Sequence, residues 1–433
     1  MNGFRSILTG FLLFFTIFFI LRRLLALAAV VYDAHIRCQL RQRELLTPGQ
    51  RDRRYMPLSV LVMAGSDPQA LLATLESLQK QTYPLYEILI LEDCMEDAAV
   101  QSLTAQWKLL PLPQPVRRQL KCTPETAIYE SCSGKIPLRL VRKPKTCLGD
   151  AWNLGVNIAR YPYFACIPAG MQLSSDGLDK LMRPFFQYSD TLAVGGSPQV
   201  AEAARRSSLS ILENLEFDRS APALQKLLRR QTLLLCSGPA AYRKDAVIAA
   251  GGFPARDLGT EAALSLSLQR YCHKKNAPCR IVYAPEAKGY LPPSTSFAHI
   301  YAQHRLWQQG MRYAMYGSRE LLILPRFGTA GLQYFLFLLF SLWAPLLSML
   351  GGLTIALCLG LGVVDVGLLA QILLLSFLFK LLLSISVFHT RTEGFSLPAK
   401  QLPAFVLLWL LESTLYRLCI TIARIQGLFS RKT

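Results

Sequence analysis

Two apolar regions bracket a polar middle in this 433-residue chain, and that arrangement constrains everything else. Leu332 to Leu361 carries no charge over about 30 residues, where a helix needs roughly 20 to cross a bilayer. At the other end, residues 7–31 read as a first membrane segment, ILTGFLLFFTIFFI-LRR-LLALAAVV. Arg22 and Arg23 interrupt it, and near a helix end such side chains snorkel to the interface. A cleaved signal is the competing reading, because Ala26-Leu-Ala28 resembles a cleavage site. Against it, the arginine pair breaks the apolar run, and Arg37, Arg41, Arg43, Arg51, Arg53 and Arg54 follow. The basic flank is expected to stay inside, which puts the soluble middle on the cytoplasmic side of the plasma membrane.

Val366 to Phe388, carrying Lys380, reads as a further span, and Pro403 to Ile422, carrying Glu412 and Arg417, as the last. The segment from Leu332 is either one long tilted helix or two short ones broken near Gly351-Gly352. Counted once, it leaves the basic C-terminus (Arg424, Arg431, Lys432) outside; counted twice, inside, which the charge rule prefers. The expected organisation is a membrane helix over 1–32, a basic cytoplasmic linker over 33–55 and an α/β domain over 56–294. An amphipathic interfacial segment over 295–330, membrane helices over 331–425 and a basic tail over 426–433 complete it.

The net charge of +19 points to a membrane surface or an anionic substrate. No basic helix interleaved with aromatics and no zinc-finger spacing is present, so nucleic acid is not an expected partner. The eleven cysteines show no C-x-x-C, and reduced cytoplasmic thiols are the reading adopted. A disulfide among Cys122, Cys132 and Cys147 would require export of the domain.

Within the middle, Leu58-Ser-Val-Leu-Val-Met63 is a buried-strand pattern, and a helix follows from Gln69 to Gln81. A second strand, Tyr86 to Leu91, ends on Glu92 and Asp93. Strand, helix and strand joined by short turns argue for a parallel α/β unit. Residues 108–137 look irregular, and strand 138–142 and helix 148–160 follow. Tyr163-Phe-Ala-Cys-Ile167 is a short buried strand that stops at Pro168-Ala-Gly170. Ligands of open α/β sheets sit at such carboxyl ends. Thr191–Val194 reads as a short strand, 205–231 as an amphipathic helix, 245–252 and 260–273 as helices, and 280–283 as the last strand.

These pieces, in this order, resemble the membrane-embedded family 2 glycosyltransferases, the synthases of cellulose, chitin, hyaluronan and poly-N-acetylglucosamine and their relatives. The resemblance covers roughly residues 56–425. Ser77-Leu-Gln-Lys-Gln-Thr-Tyr-Pro84 is similar to the family's S-L-x-x-Q-x-Y-P, and Glu92-Asp-Cys-Met-Glu-Asp97 stands where it has D-D-G-S-x-D. Gly149-Asp-Ala-Trp-Asn153 stands for a G-K-A-x-A-L-N type of segment. Ser237-Gly-Pro239 and Gly251-Gly-Phe253 match acceptor-side S-G and G-G-F elements, and Gln303-His-Arg-Leu-Trp307 resembles Q-x-x-R-W, with Leu306 where the arginine is expected.

The resemblance implies a GT-A fold, a Rossmann-like doubly wound sheet, beside α-helical transmembrane segments. It also implies a nucleotide sugar such as a UDP-sugar as donor, with Glu92, Asp93 and Asn153 facing the nucleotide. Ser237, Gly238, Gln303, Arg305 and Trp307 would lie on the acceptor or channel side. The family usually holds Mg²⁺ or Mn²⁺ with a D-x-D, but Pro168 and Gly170 occupy the ligand positions here, so no metal is expected from these residues. The family's base is the Asp of T-E-D, and this chain reads Thr260-Glu-Ala262. Glu261 remains a weak substitute, because adjacent helical residues do not face the same way.

Loss of a base costs about 10²–10⁴-fold, and loss of metal stabilisation several kcal/mol more. Arg142, Lys143 and Lys145 follow a strand and read either as a phosphate-neutralising cluster or, more plainly, as a solvated basic loop. Two functional readings stand, beside a third of a lipid or glycan transporter built on the same spans. One is a silent or impaired glycosyltransferase-like protein that assists an active polysaccharide synthase subunit at the bilayer. The other is an active inverting transferase with a metal-independent site.

Overall fold

The computed structural model describes residues 2–46, 55–65, 67–93, 95–113, 115–131, 134, 136–168, 170–201, 209–210, 212–213, 223–233, 235, 238–322, 328–367, 370–371, 374–375, 377–379, 381 and 402–430. Helix α1 is Asn2–Leu46. Its stretch Arg5–Ile36 is long and apolar enough to cross a membrane. The helix outruns the expected boundary at residue 32 because no Pro or Gly interrupts the basic flank before Pro48.

A ten-stranded mixed sheet forms the middle of the chain. Its strands are β1 Leu58–Met63, β2 Tyr86–Glu92, β3 Leu109–Pro111, β4 Ala127–Ser131, β5 Leu138–Arg142, β6 Tyr163–Ile167, β7 Gln172–Leu173, β8 Thr191–Val200, β9 Ala240–Arg243 and β10 Arg280–Leu291. The order is β3-β4-β5-β2-β1-β6-β9-β8-β10-β7. Strands β5, β2, β1 and β6 pair in parallel, so their carboxyl ends lie along one edge. Strand β9 runs antiparallel between β6 and β8, which makes β8 parallel to β6.

Alternation with period two sends successive residues to opposite faces. Val60, Val62, Ile88 and Ile90 pack with Leu71 and Leu75 of α2 (Pro68–Gln79) and with Leu178 and Leu181 of α5 (Gly177–Gln187). Leu61, Leu89 and Leu91 pack on the other face with Trp152 and Val156 of α4 (Leu148–Ile158). The same face holds Leu264 and Leu268 of α8 (Thr260–Lys274). Short helices α3 (Asp97–Gln106), α6 (Ala223–Leu227) and α7 (Lys244–Ala249) complete the domain. Helices on both faces are what the strand–helix order implied.

Several local expectations need correction. Residues 108–137 are not wholly irregular, because β3 and β4 form there and extend the sheet antiparallel to β5. Strand β8 runs ten residues rather than four, and β10 twelve rather than four, because each is paired with the other along its length. The expected helix over 205–231 lies largely outside the described residues, as does the span expected over 366–388.

The C-terminal part begins with α9 (Phe297–Tyr316). It is more than an interfacial helix, since Met311 and Ala314 join an apolar cluster with Ala262 and Leu266 of α8 and with Leu428. Next come α10 (Thr329–Phe337), a π-helical turn Leu338–Leu342 and α11 (Ala344–Gly360), with a 55° bend between the two helical pieces. The break falls at Trp343, not at Gly351-Gly352, because Pro345 cannot continue a preceding helix. Gly351 instead lies where a Cβ would meet the Phe19 ring at 2.8 Å, so it lets α1 approach α11. Finally α12 (Leu402–Leu411), a π turn Glu412–Tyr416 and α13 (Arg417–Phe429) run on from one another. Gly427 of α13 has no room for a Cβ, which would stand 2.3 Å from the Arg305 carbonyl of α9.

Candidate functional site

The carboxyl ends of β1, β2, β5 and β6 define the candidate site. Glu92 closes β2 and is 2% exposed. Its Oε1 accepts from the Met95 N–H at 2.9 Å, and its Oε2 accepts from Arg142 Nε at 3.0 Å. Arg142 also donates from Nη2 to Asp97 at 2.8 Å. Both oxygens of Glu92 are therefore engaged by the protein. Asp93 follows half-buried, and among the described residues no hydrogen bond or ion pair engages its carboxylate.

The basic residues after β5 differ from both readings made of them. Lys143 is buried and pairs with Asp150 at 3.2 Å. It also contacts Thr146 and donates to the Pro144 carbonyl at 3.1 Å. Arg142 and Lys143 are thus neutralised internally, and Lys145 alone of the three is exposed. Burial works to raise the Asp150 carboxyl, but hydrogen bonds from the Thr123 N–H, Thr146 and Lys143 outweigh it and hold the group below its ordinary value.

Asn153 is 4% exposed and makes a reciprocal clamp with Phe253. Its Nδ2 donates to the Phe253 carbonyl and its Oδ1 accepts from the Phe253 N–H, both at 2.8 Å. Asn157 accepts from the N–H groups of Gln119 and Leu120 at 3.0 and 2.9 Å. Asp150, Asn153 and Asn157 thus form a polar stripe on α4 that pins the loops around 120 and 253. The motif comparison singled out Asn153 alone. The i, i+3, i+7 spacing was the available signal for the other two.

The tip of β6 is a tight turn in which the Met171 N–H donates to the Pro168 carbonyl at 3.2 Å. Gly170 is buried with φ +75°, and a Cβ there would lie 3.5 Å from Ala70 and 3.7 Å from Pro292. Ala169 and Ser237 lie outside the described residues. Pro168 and Gly170 offer no side-chain ligand, and Glu92, two strands away across β1, is bound to Arg142, so these residues do not fit a divalent cation. Among the described residues, no group of three His, Cys, Asp or Glu side chains is spaced to hold one.

Glu261 stands in the first turn of α8 and lines a small cavity of about 10 Å³ with Gly195, Gly196, Gly238, Pro239 and Tyr283. That is room for about one water. Gly195 pairs with Ala240, which in turn pairs with Cys166 near the end of β6, so this cavity sits at the same sheet edge. Burial raises the Cys166 thiol well above its ordinary value, and the nearby Glu261 charge adds to the effect. Gly238 has φ +148°, and a Cβ there would come within 2.9 Å of the Gly196 carbonyl. Ala262, one position on, is 4% exposed and packs in the apolar cluster with Leu266, Met311 and Ala314. Glu261 and Ala262 therefore serve different surroundings, as their helical spacing implied.

Gln303 and Arg305 are exposed on α9, away from that cavity's lining. Trp307 is half-buried under the guanidinium of Arg424, 5.3 Å from the ring centroid. The two helices carrying Glu261 and Trp307 meet at Gly259 and Gly310, where a Cβ on Gly259 would lie 2.3 Å from the Gly310 carbonyl. A residue pair that no motif indicated is Asp33 of α1 and Arg229, 3.4 Å apart, with Arg229 also 2.5 Å from Glu286 of β10. It ties the N-terminal helix to the sheet.

No protein-family model matches this chain. No curated protein matches it either. Among solved structures it is similar to the mannosyltransferase PcManGT from Pyrobaculum calidifontis, determined with GDP-Man and Mn²⁺, at TM-score 0.50 and 14% identity, over 95% of this chain and 100% of that one. It also matches S. aureus TarS in complex with UDP-GlcNAc, at TM-score 0.41 and 16% identity, over 62% of this chain and 67% of that one. The first likeness shows that this α/β sheet with its helices has a fold found in a glycosyltransferase.

Proposed function

We propose that the chain is a membrane-embedded, family 2 glycosyltransferase-like protein with a GT-A domain. It serves cell-surface polysaccharide synthesis at the cytoplasmic face of the plasma membrane. It holds a nucleotide sugar or glycan at the carboxyl edge of its sheet, beside an active synthase subunit, and is silent or impaired in transfer. The fold likeness to a protein solved with GDP-Man supports the nucleotide-sugar part.

One observation carries the impairment: the groups that would perform the chemistry are replaced or already engaged. Pro168 and Gly170 stand at the β6 tip, both Glu92 oxygens are bound within the protein, and Ala262 faces an apolar cluster. A base and a charge neutraliser are what sugar transfer from a diphosphate requires. Asp93 is the carboxylate left to meet a nucleotide.

A second reading rests on Glu261. It lines the cavity with Gly238, so an active inverting, metal-independent transferase would use it as base. Titration of UDP and GDP into the full chain in detergent, with and without Mg²⁺, tests both. Nucleotide binding that Mg²⁺ does not strengthen, with no nucleotide released from UDP-sugars, is expected. Release of UDP that Glu261→Gln abolishes would establish the second reading in its place. Binding strengthened by Mg²⁺ would show that the site has been put in the wrong place.

A further inference from the structure

The cysteines show no C-x-x-C in sequence, yet the fold brings two of them together. Cys272 lies in the last turn of α8 and is 3% exposed. Cys279 immediately precedes β10 and is half-buried. Both pack in the apolar cluster of Leu268 and Ile281, and both are free thiols. The chain between them folds back on itself. The Lys275 and Ala277 N–H groups donate to the Cys272 carbonyl at 3.1 and 2.9 Å, and Asn276 turns the chain at φ +49°. Asparagine enters that left-handed region more readily than most residues. The start of β10 is fixed from its other side. The Arg280 N–H donates to the Asp190 carbonyl at 3.1 Å, and Arg280 Nε donates to Asp190 Oδ1 at 2.8 Å. The two cysteine side chains meet as a result, and their thiols hydrogen-bond to each other.

That contact sets up their chemistry. The Cys279 S–H donates to Cys272 and holds the Cys272 thiol below its ordinary value against the effect of burial, with the Arg243 charge adding to it. The same hydrogen bond, together with burial, raises Cys279. A thiolate in contact with a thiol is what dithiol oxidation requires, because the thiolate is the nucleophile and the second sulfur resolves the product. The loop to be closed is short, and its residues 274–278 are exposed, so closure costs little chain entropy. In a reducing compartment, disulfides of this kind are transient rather than structural.

We infer that Cys272 and Cys279 form a reversible dithiol–disulfide site whose oxidant is a hydroperoxide. The Cys272 thiolate attacks one oxygen of hydrogen peroxide and the O–O bond breaks. The other oxygen leaves as water after taking up a proton, and Cys272 becomes a sulfenic acid. The Cys279 sulfur then attacks the Cys272 sulfur. An S–S bond forms, the S–O bond breaks, and the hydroxyl leaves as a second water with the Cys279 proton. The peroxide is reduced to two waters by the two electrons that the thiols give up. The bond joins α8 to β10, which bring Glu261 and Tyr283 to the wall of one cavity. The inference goes beyond the sugar-transfer reading and stands or falls without it.

Hydrogen peroxide is the probe. The full chain in neutral detergent is reduced, freed of reductant and treated with it, and peptide mapping follows each cysteine with time. A Cys272–Cys279 cross-link is expected to form at least about tenfold faster than the exposed thiol of Cys38 is oxidised. Dithiothreitol should reverse it, and the cross-linked chain should unfold at a thermal midpoint a few degrees higher. Cys279→Ser should stop the reaction at a sulfenic acid on Cys272, trapped by dimedone, and Cys272→Ser should lose the fast reaction. Where a serine variant does not fold, phenylarsine oxide on the native chain supplies a second measurement. Its arsenic bridges two adjacent thiols and should protect Cys272 and Cys279 together from alkylation while Cys38 stays reactive. Absence of the cross-link, or its formation no faster than oxidation of Cys38, overturns the inference. A cross-link that dithiothreitol does not reverse overturns the reversible site, and an unchanged thermal midpoint overturns the tether between α8 and β10.

Discussion

Arg142 Nε donates to Glu92 Oε2 at 3.0 Å, across the ends of two neighbouring parallel strands. The pair turns a carboxylate at the carboxyl edge of the sheet into a strut between β2 and β5. Glu92→Ala would strand the Met95 N–H and one face of the guanidinium. A loss of about 1–3 kcal/mol in unfolding free energy is expected, measured by chemical denaturation in detergent. Asp93→Ala should leave stability within about 0.5 kcal/mol and weaken nucleotide binding instead. If Glu92→Ala spares stability and abolishes nucleotide binding, the two roles have been assigned the wrong way round.

Gly310 lies inside a helix, where alanine would ordinarily add up to about 1 kcal/mol. Here a Cβ would stand 2.7 Å from the Gly259 amide nitrogen. The neighbour is backbone and cannot rotate away, so the opposite sign is expected. Gly310→Ala should destabilise by about 1–3 kcal/mol, seen as a lower midpoint of thermal unfolding. Gly352→Ala provides the contrast, because nothing lies within 4 Å of a Cβ there.

Asp150 gives the fold an acid-side sensitivity. Burial works against its charge, but the hydrogen bonds from Thr123, Thr146 and Lys143 prevail and depress its folded value. A group depressed on folding stabilises above its unfolded value of about 3.9 and loses that contribution as pH falls through the folded value. The stability difference between the native chain and Asp150→Asn should therefore be full near pH 7 and shrink below about pH 4. Urea midpoints across that range would reveal it, and a difference independent of pH would contradict the assignment.

Ala262, where the motif resemblance would put a base, packs with Leu266, Met311 and Ala314. A carboxylate introduced there has no polar partner in that cluster, and several kcal/mol of destabilisation is expected of Ala262→Asp. Nucleotide release from UDP-sugars should stay absent in that variant. Recovery of turnover at native stability would show that α8 presents position 262 to the sheet edge.

Pro168→Asp with Gly170→Asp tests the β6 tip more gently. Position 170 is left-handed at φ +75°, a region that Asp enters more readily than most residues, and its nearest neighbours leave ordinary contact distance. Mg²⁺-dependent binding of UDP should appear in this double variant. Binding that stays the same with and without Mg²⁺ would place the nucleotide elsewhere.

Strands β1, β2, β5 and β6, helices α2 and α4, and the first membrane-long helix were legible because each signal is local. Alternation, helical spacing and apolar length depend only on near neighbours in the chain. The edge strands β3 and β4 and the length of β8 were not legible, since pairing partners distant in sequence create them. The missing D-x-D and the alanine of Thr260-Glu-Ala262 could be read directly, because they are residue identities. What those positions face could not. Only the tertiary structure bound Glu92 to Arg142, buried Lys143 against Asp150 and turned Ala262 toward α9. A charge acts through whatever packing places within a few ångströms of it, and chain order does not carry that distance.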